Sequence, residues 1–211
     1  YGLNETQLQM IELARKIARE RIVPVRAELD EKEEFPWGVL KVLADAGLFG
    51  IYIPEEYGGM GFGNFENNLV VEELSKYCIG ISVSFAASGL GAYPILLFGS
   101  HEQKSKYLPD IAAGKKLAAF GITESSAGSD AASIRTTAKK EGVYYVLNGV
   151  KQWITNGGEA ETYSVIAKTD PAKGPRGASA FILEKGMPGF TFGKKEKKLG
   201  IRASATRELV F

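Results

Sequence analysis

Apolar and polar positions follow two different periods along this chain. From Asn4 to about Gly114, apolar residues recur every three or four positions, the spacing of a one-faced α-helix. Asn4 with Gln7 resembles a capping pair, and Leu8, Ile11, Ala14, Ala18 and Ile22 follow at helical spacing until Pro24 ends or kinks the run. A second helix is predicted from near Pro36 to Gly47. Asn64 opens a third, carrying Leu69, Val70, Glu72, Glu73 and Leu74, and a very apolar fourth covers roughly 81–90. Ser100 with Gln103 forms another capping pair, heading a helix from His101 that ends at Gly114.

From Lys116 the pattern changes to short runs of Val, Ile, Tyr, Phe and Thr between Gly, Pro and Asn turns. Strands are predicted over 117–123, 133–140, 143–156, 162–169, 178–184, 190–195 and 206–211. Within the third, Tyr145-Val146-Leu147-Asn148-Gly149-Val150 reads as a strand, a turn and the next strand. Many short, evenly spaced strands point to a sandwich or barrel. The fold class is α+β: an all-α helical domain over 1–114, then a middle β-barrel or sandwich domain over 115–211. Val210-Phe211 closes the chain on strand-like residues, so a fragment or an excised domain pair is expected.

Composition narrows the function. The 211 residues are 45% hydrophobic and 24% charged, with a formal net charge of +1. That balance gives no basic field for nucleic acid. Cys78 is the single cysteine, which excludes an internal disulfide and suits a reducing compartment; His101 is the single histidine, which excludes a multi-histidine metal site. The stretch 79–98 comes nearest to a membrane span, but its serines and glycines dilute it, and none is expected.

Two segments carry specific chemistry. Gly121-Ile122-Thr123-Glu124-Ser125-Ser126-Ala127-Gly128-Ser129-Asp130 is a strand running into a turn of hydroxyls and small residues. Lys151-Gln152-Trp153-Ile154-Thr155-Asn156-Gly157 sets an indole and a hydroxyl two residues apart, on one face of a strand. Together they offer a flat, nitrogen-rich ring an apolar plate, close backbone approach and hydroxyl donors. Other segments are weaker. Gly59 and Gly61 begin a dinucleotide fingerprint, but the sixth place is Asn64 and the pattern fails. His101 reads as a solvent-facing helix residue, Cys78 as a buried small hydrophobe, and Glu72 and Glu73 as helix-surface groups. Glu124 and Asp130 read as acceptors for turn amides that hold the loop, rather than as an acid/base pair. Lys194 to Lys198 is a basic run that suits phosphates or a solvated hairpin face equally.

These residues resemble the acyl-CoA dehydrogenase family of flavoproteins. Gly121-Ile122-Thr123-Glu124, Ala127-Gly128-Ser129-Asp130 and Ser133 satisfy its first signature, and Lys151 to Gly157 is similar to its second conserved block. Pro54 to Gly61, Gly99 to Lys104 with Tyr107-Leu108-Pro109, and Gly200-Ile201-Arg202 with Thr206-Arg207 are also family-like, in the family's order. Ser125 departs from the pattern where many relatives have proline, and Ala203 and Ala205 replace more polar residues.

The resemblance implies a flavoenzyme that oxidises an acyl-CoA to a trans-2-enoyl-CoA, with FAD as cofactor and electron-transferring flavoprotein as partner. It implies a homotetrameric parent, in the bacterial cytoplasm or the mitochondrial matrix. Phe120, Gly121, Ile122 and Thr123 would line the flavin from the first block. Gly128 and Ser129 would allow close approach, with Ser129 touching CoA. Trp153 would pack on the isoalloxazine, Ile154 beside it, and Thr155 would bring its hydroxyl near flavin N5. Ser88, Leu90 and Tyr93 fall in the region matching the acyl-chain entrance. The family's C-terminal four-helix domain, which holds its catalytic glutamate, has no match here, so no catalytic residue is assigned. An acyl-CoA oxidase and a truncated, non-catalytic binding module are the alternatives.

Overall fold

The computed structural model describes residues 2–211. Helix α1 (Glu5–Ile17) begins on a reciprocal cap: the Gln7 amide donates to Asn4 Oδ1 at 2.9 Å, and the Asn4 amide donates to Gln7 Oε1 at 3.0 Å. One π-helical turn (Ala18–Ile22) continues it towards Pro24. A short helix outside the sequence expectation follows, α2 (Arg26–Lys32). It has no fully buried residue, so no apolar stripe announces it. Helix α3 (Trp37–Asp45) stops just before Gly47, which adopts φ 75°.

Helix α4 (Asn64–Ser75) is entered from Gly63, whose amide donates to Glu66 at 3.0 Å. Glu73 is not a surface group. It is 3% exposed and receives Arg15 of α1 at 2.9 Å and Lys76 at 2.8 Å. Burial pushes its carboxyl up, but those two cations outweigh burial and hold it below the usual range.

Helix α5 (Ile79–Phe98) is twice as long as its sequence pattern promised and carries Pro94 inside. By length and composition it is apolar enough to cross a bilayer, contrary to expectation, yet over half of it is buried inside the fold. Ser84, Ser88 and Gly91 are among its buried residues, the packing of a core helix. Cys78 lies before the helix as its N-cap and is only half-buried, unlike the buried hydrophobe expected. Helix α6 (His101–Ala112) starts on the Ser100–Gln103 cap. His101 is exposed as expected, and its Nδ1 lies 3.3 Å from the Tyr57 hydroxyl.

Eight strands follow: β1 (Ala118–Gly121), β2 (Thr137–Glu141), β3 (Tyr144–Asn148), β4 (Val150–Thr155), β5 (Thr162–Lys168), β6 (Ala178–Glu184), β7 (Thr191–Lys195) and β8 (Thr206–Val210). One sheet runs β1-β5-β2-β3, with β6 also paired to β5; the other runs β4-β8-β7. The turn before Val150 does not fold β4 back on β3: β3 pairs with β2, and β4 with β8. Gly149 makes that crossing between sheets, at φ 149° and with Thr136 Oγ1 2.5 Å from where a Cβ would stand. Tyr163 of β5, Phe190 just before β7, Phe192 of β7, and Phe211 pack ring against ring at 4.9–5.6 Å.

The helices and sheets share one core. Leu43, Phe49, Ile81 and Phe85 join Leu117, Tyr163, Val165 and Leu209 in a single cluster. Helix α5 lies directly on β1: a Cβ on Gly91 would come 2.4 Å from the Ala119 nitrogen.

Candidate functional site

The first segment leaves the sheet where β1 ends. Its strand reads Ala118-Ala119-Phe120-Gly121, and small residues let α5 press close. Beyond it, the amide of Glu124 donates to the Ala127 carbonyl at 2.9 Å, and Ala127 donates back at 3.1 Å, closing a four-residue turn. Gly128 and Ser129 follow, both exposed, and a Cβ on Gly128 would meet nothing within 4 Å. Phe120, Ile122 and Thr123 are half-buried.

The second segment is bent by a bulge. Lys151 pairs with Leu209 and Ile154 with Arg207, so three steps on β4 face two on β8. The extra residue is absorbed with Trp153 at φ 59°, a conformation that costs a bulky side chain on the order of 1 kcal/mol. As a result Lys151 and Ile154, three apart, are both buried, and Trp153 is 54% exposed. Thr155 is half-buried on the far side of Ile154. Trp153 and Thr155 both stay outside the buried core, although the bulge breaks the two-residue alternation on which their shared face was expected. Ile154 does not: it is 3% exposed, a core residue rather than a ligand-facing one.

Side chains and backbone lock the two segments together. The Gln152 amide donates to the Thr123 carbonyl at 2.8 Å. Lys151 Nζ donates to the Ile122 carbonyl at 3.0 Å and to Glu124 Oε1 at 2.7 Å. Glu124 also accepts from the Arg135 amide at 2.7 Å and the Thr136 amide at 2.9 Å. Burial pushes the Glu124 carboxyl up, but these three bonds outweigh burial and hold it at about 2. Burial pulls the Lys151 ammonium below its ordinary value, against the pull of Glu124. Glu124 therefore holds the loop, as expected, but through amides beyond the turn and a buried cation. Asp130 accepts from the Ser133 hydroxyl rather than from a turn amide.

Asn156, at φ 62° and fully buried, donates from Nδ2 to the Ser84 carbonyl of α5 at 2.9 Å and to the Ala118 carbonyl of β1 at 3.5 Å. Neither Lys151 nor Asn156 stood out in the sequence as a structural tie. A strand pattern of period two cannot reveal a lysine buried across a bulge.

The remaining candidates separate. Of the three α5 residues near the expected acyl entrance, Ser88 is buried, Tyr93 is half-buried and stacks on Tyr52 at 4.8 Å, and Leu90 is 59% exposed. In the basic run Lys194 and Lys197 are exposed, while Lys195 and Lys198 are half-buried and tied to neighbouring oxygens. Lys195 donates to the Glu33 carbonyl, and Lys198 to the Ser204 carbonyl and to Thr206 Oγ1. Arg202 likewise ties its loop to α2, donating from Nε to the Asp30 carbonyl at 2.9 Å. Ala203 and Ala205 are buried, and a Cβ on Gly80 would sit 3.3 Å from Ala203 Cβ, which leaves no room there for a larger residue. A cleft of about 820 Å³ opens between the ends of α5 and α6 and strands β5 and β6. Ser164 and Ile182 line it, and Ser164 is the register partner of Phe120 on the neighbouring strand β1.

An exposed indole, an open glycine turn and half-buried hydroxyls, all fixed to a two-sheet body capped by helices, form a surface suited to a planar cofactor. The chain belongs to the acyl-CoA dehydrogenase family: the model of its N-terminal domain matches residues 4–115, and that of its middle domain matches 119–211. A short-chain-specific acyl-CoA dehydrogenase of Clostridium acetobutylicum is 45% identical over 212 residues, covering 100% of this chain and 56% of the relative. A chain in a structure of the electron transferring flavoprotein of Acidaminococcus fermentans superposes with a TM-score of 0.97 at 47% identity, over 100% of this chain and 56% of that one. An acyl-CoA dehydrogenase of Bacillus anthracis, solved in complex with FAD, gives a TM-score of 0.89 at 37% identity, over 99% of this chain and 36% of that one. The chain thus spans about half the length of the curated relatives it matches.

Proposed function

We propose that this chain forms the flavin-holding part of an FAD-dependent acyl-CoA dehydrogenase, with a helical unit over 1–114 and a flavin-binding unit over 115–211. The observation that carries this reading is the bulge at Trp153, which keeps a large indole exposed on the segment that hydrogen-bonds, through Gln152, to Thr123 of the segment carrying the open Gly128–Ser129 turn. The FAD complex of the Bacillus anthracis relative supports the choice of cofactor.

In this reading FAD, when bound, supplies the two-electron acceptor for a hydride from the substrate β-carbon. Trp153 covers one side of the ring and keeps water from it. Phe120 and Ile122 give an apolar floor, and the hydroxyls of Thr123 and Thr155 donate hydrogen bonds that fix the ring's orientation. Ser129 meets the CoA arm, which Gly128 admits close to the backbone. Leu90 faces the acyl chain. The carboxylate that takes the α-proton comes from outside these 211 residues. A short acyl chain as substrate and an electron-transferring flavoprotein as acceptor are favoured by two of the relatives above. The full-length protein is proposed to assemble as a homotetramer.

The test is to purify the full-length protein, record its flavin spectrum and assay acyl-CoAs of graded length with electron-transferring flavoprotein. Bound FAD and turnover fastest with short chains are expected; absence of flavin and of turnover would sink the proposal. Peroxide formed in step with substrate use would make it an oxidase instead. The 211-residue chain alone is expected to show no dehydrogenase turnover.

A further inference from the structure

The structure buries an ion pair that the chemistry above does not use. Lys151 is 0% exposed and Glu124 is 6% exposed. An ion pair this deep is a poor source of net stability, since stripping water from both charges offsets most of their attraction. Its place in the fold gives it a different use. Lys151 belongs to the segment that carries Trp153 and Thr155, and Glu124 to the one that carries Ile122, Thr123 and Ser129. The pair meets at 2.7 Å directly behind both.

The bonds around the pair are directional. Lys151 Nζ takes the Ile122 carbonyl at 3.0 Å, and the neighbouring Gln152 amide takes the Thr123 carbonyl at 2.8 Å. Two consecutive carbonyls of the first segment are therefore drawn towards the second. Glu124 in turn holds the amides of Arg135 and Thr136, which anchors the far end of the Gly128–Ser129 loop. One carboxylate thus joins the start of the loop, its end and the indole-bearing strand.

We infer that Glu124 and Lys151 are positioning residues: a buried latch that sets the spacing and orientation of the two ligand-facing segments, and through them the hold on the flavin. Neither side chain touches the ligand. This inference rests on the flavin reading of the site.

The test uses the full-length protein with Lys151→Met combined with Glu124→Gln, which removes both charges at nearly constant volume. Lys151→Met alone is the second variant; there Glu124 keeps its Arg135 and Thr136 donors. Three readouts are compared with wild type: thermal midpoint, amide hydrogen exchange at Gln152, and FAD dissociation followed by flavin fluorescence. In a folded variant, Gln152 exchange is expected to accelerate about tenfold. FAD is expected to bind about tenfold more weakly, with a changed visible band shape. Unchanged Gln152 exchange in a folded variant overturns the latch. Faster exchange with wild-type FAD affinity and spectrum overturns its positioning role. Wild-type protein that takes up no FAD at all overturns the flavin reading itself, and the exchange readout still decides whether the pair holds the segments together.

Discussion

Lys151 carries a charge into a place without solvent, and Glu124 makes that tolerable. The carboxylate is held near 2, far below its ordinary value of 4.5. A depressed carboxyl stabilises the fold fully above the ordinary value, and that contribution drains away as pH falls from 4.5 towards about 2. Acid unfolding followed by circular dichroism should therefore show a steep loss of stability across that window. Glu124→Gln should flatten the slope, though Glu73 and Glu66, whose carboxyls are also depressed by partners, keep part of it. An identical slope in both proteins would contradict the assignment. At this scale the sequence was only partly legible. Trp153, Thr155 and Gly128 could be picked out because their side chains, or lack of one, suit a ring ligand. Lys151 and Asn156 could not, because their partners lie 27 and 72 positions away.

Among the elements, what could be read locally was read well. The Asn4–Gln7 and Ser100–Gln103 caps lie three residues apart, so both helix starts were visible. Helix α2 was missed because it packs without a buried stripe. Helix α5 was cut short because it is apolar all round, which leaves no periodic edge to follow. Its register on β1 depends on one position. Gly91→Val would push a branched side chain into the Ala119 backbone, and overpacking of this kind costs roughly 1–3 kcal/mol or more. Chemical denaturation should show at least that loss; a variant as stable as wild type would mean that α5 can slide away from β1. The crossing at Gly149 was hidden for a related reason: a short Asn-Gly turn looks alike whether the next strand returns to its own sheet or joins another.

On the scale of the molecule, helices and sheets share a core, but one apolar face stays open. Ile79, Leu90, Leu97 and Phe98 of α5 are 56%, 59%, 63% and 84% exposed. Contiguous apolar surface of this kind marks a contact for further protein or ligand. In the isolated 211-residue chain, Leu97→Lys with Phe98→Ser should reduce self-association, measured by light scattering, and change stability by no more than about 0.5 kcal/mol. In the full-length protein the same pair should lower stability instead. Equal behaviour in both settings would mean that nothing covers this face.

The side chain of Asn156 sits where three parts meet: it belongs to the indole-bearing segment and grips carbonyls of both α5 and β1. Such a joint makes two neighbouring surfaces into one thermodynamic system. Whatever stiffens the sheet side would be felt on α5 at Ser84, seven residues before Gly91, and whatever settles along α5 would be felt in the segment that carries Trp153. Linkage requires the two effects to be equal: an acyl chain that tightens the grip on a ring must itself be held more tightly by the same factor when the ring is present. A single amide, invisible as chemistry, would thereby tie the occupancy of one ligand to that of the other.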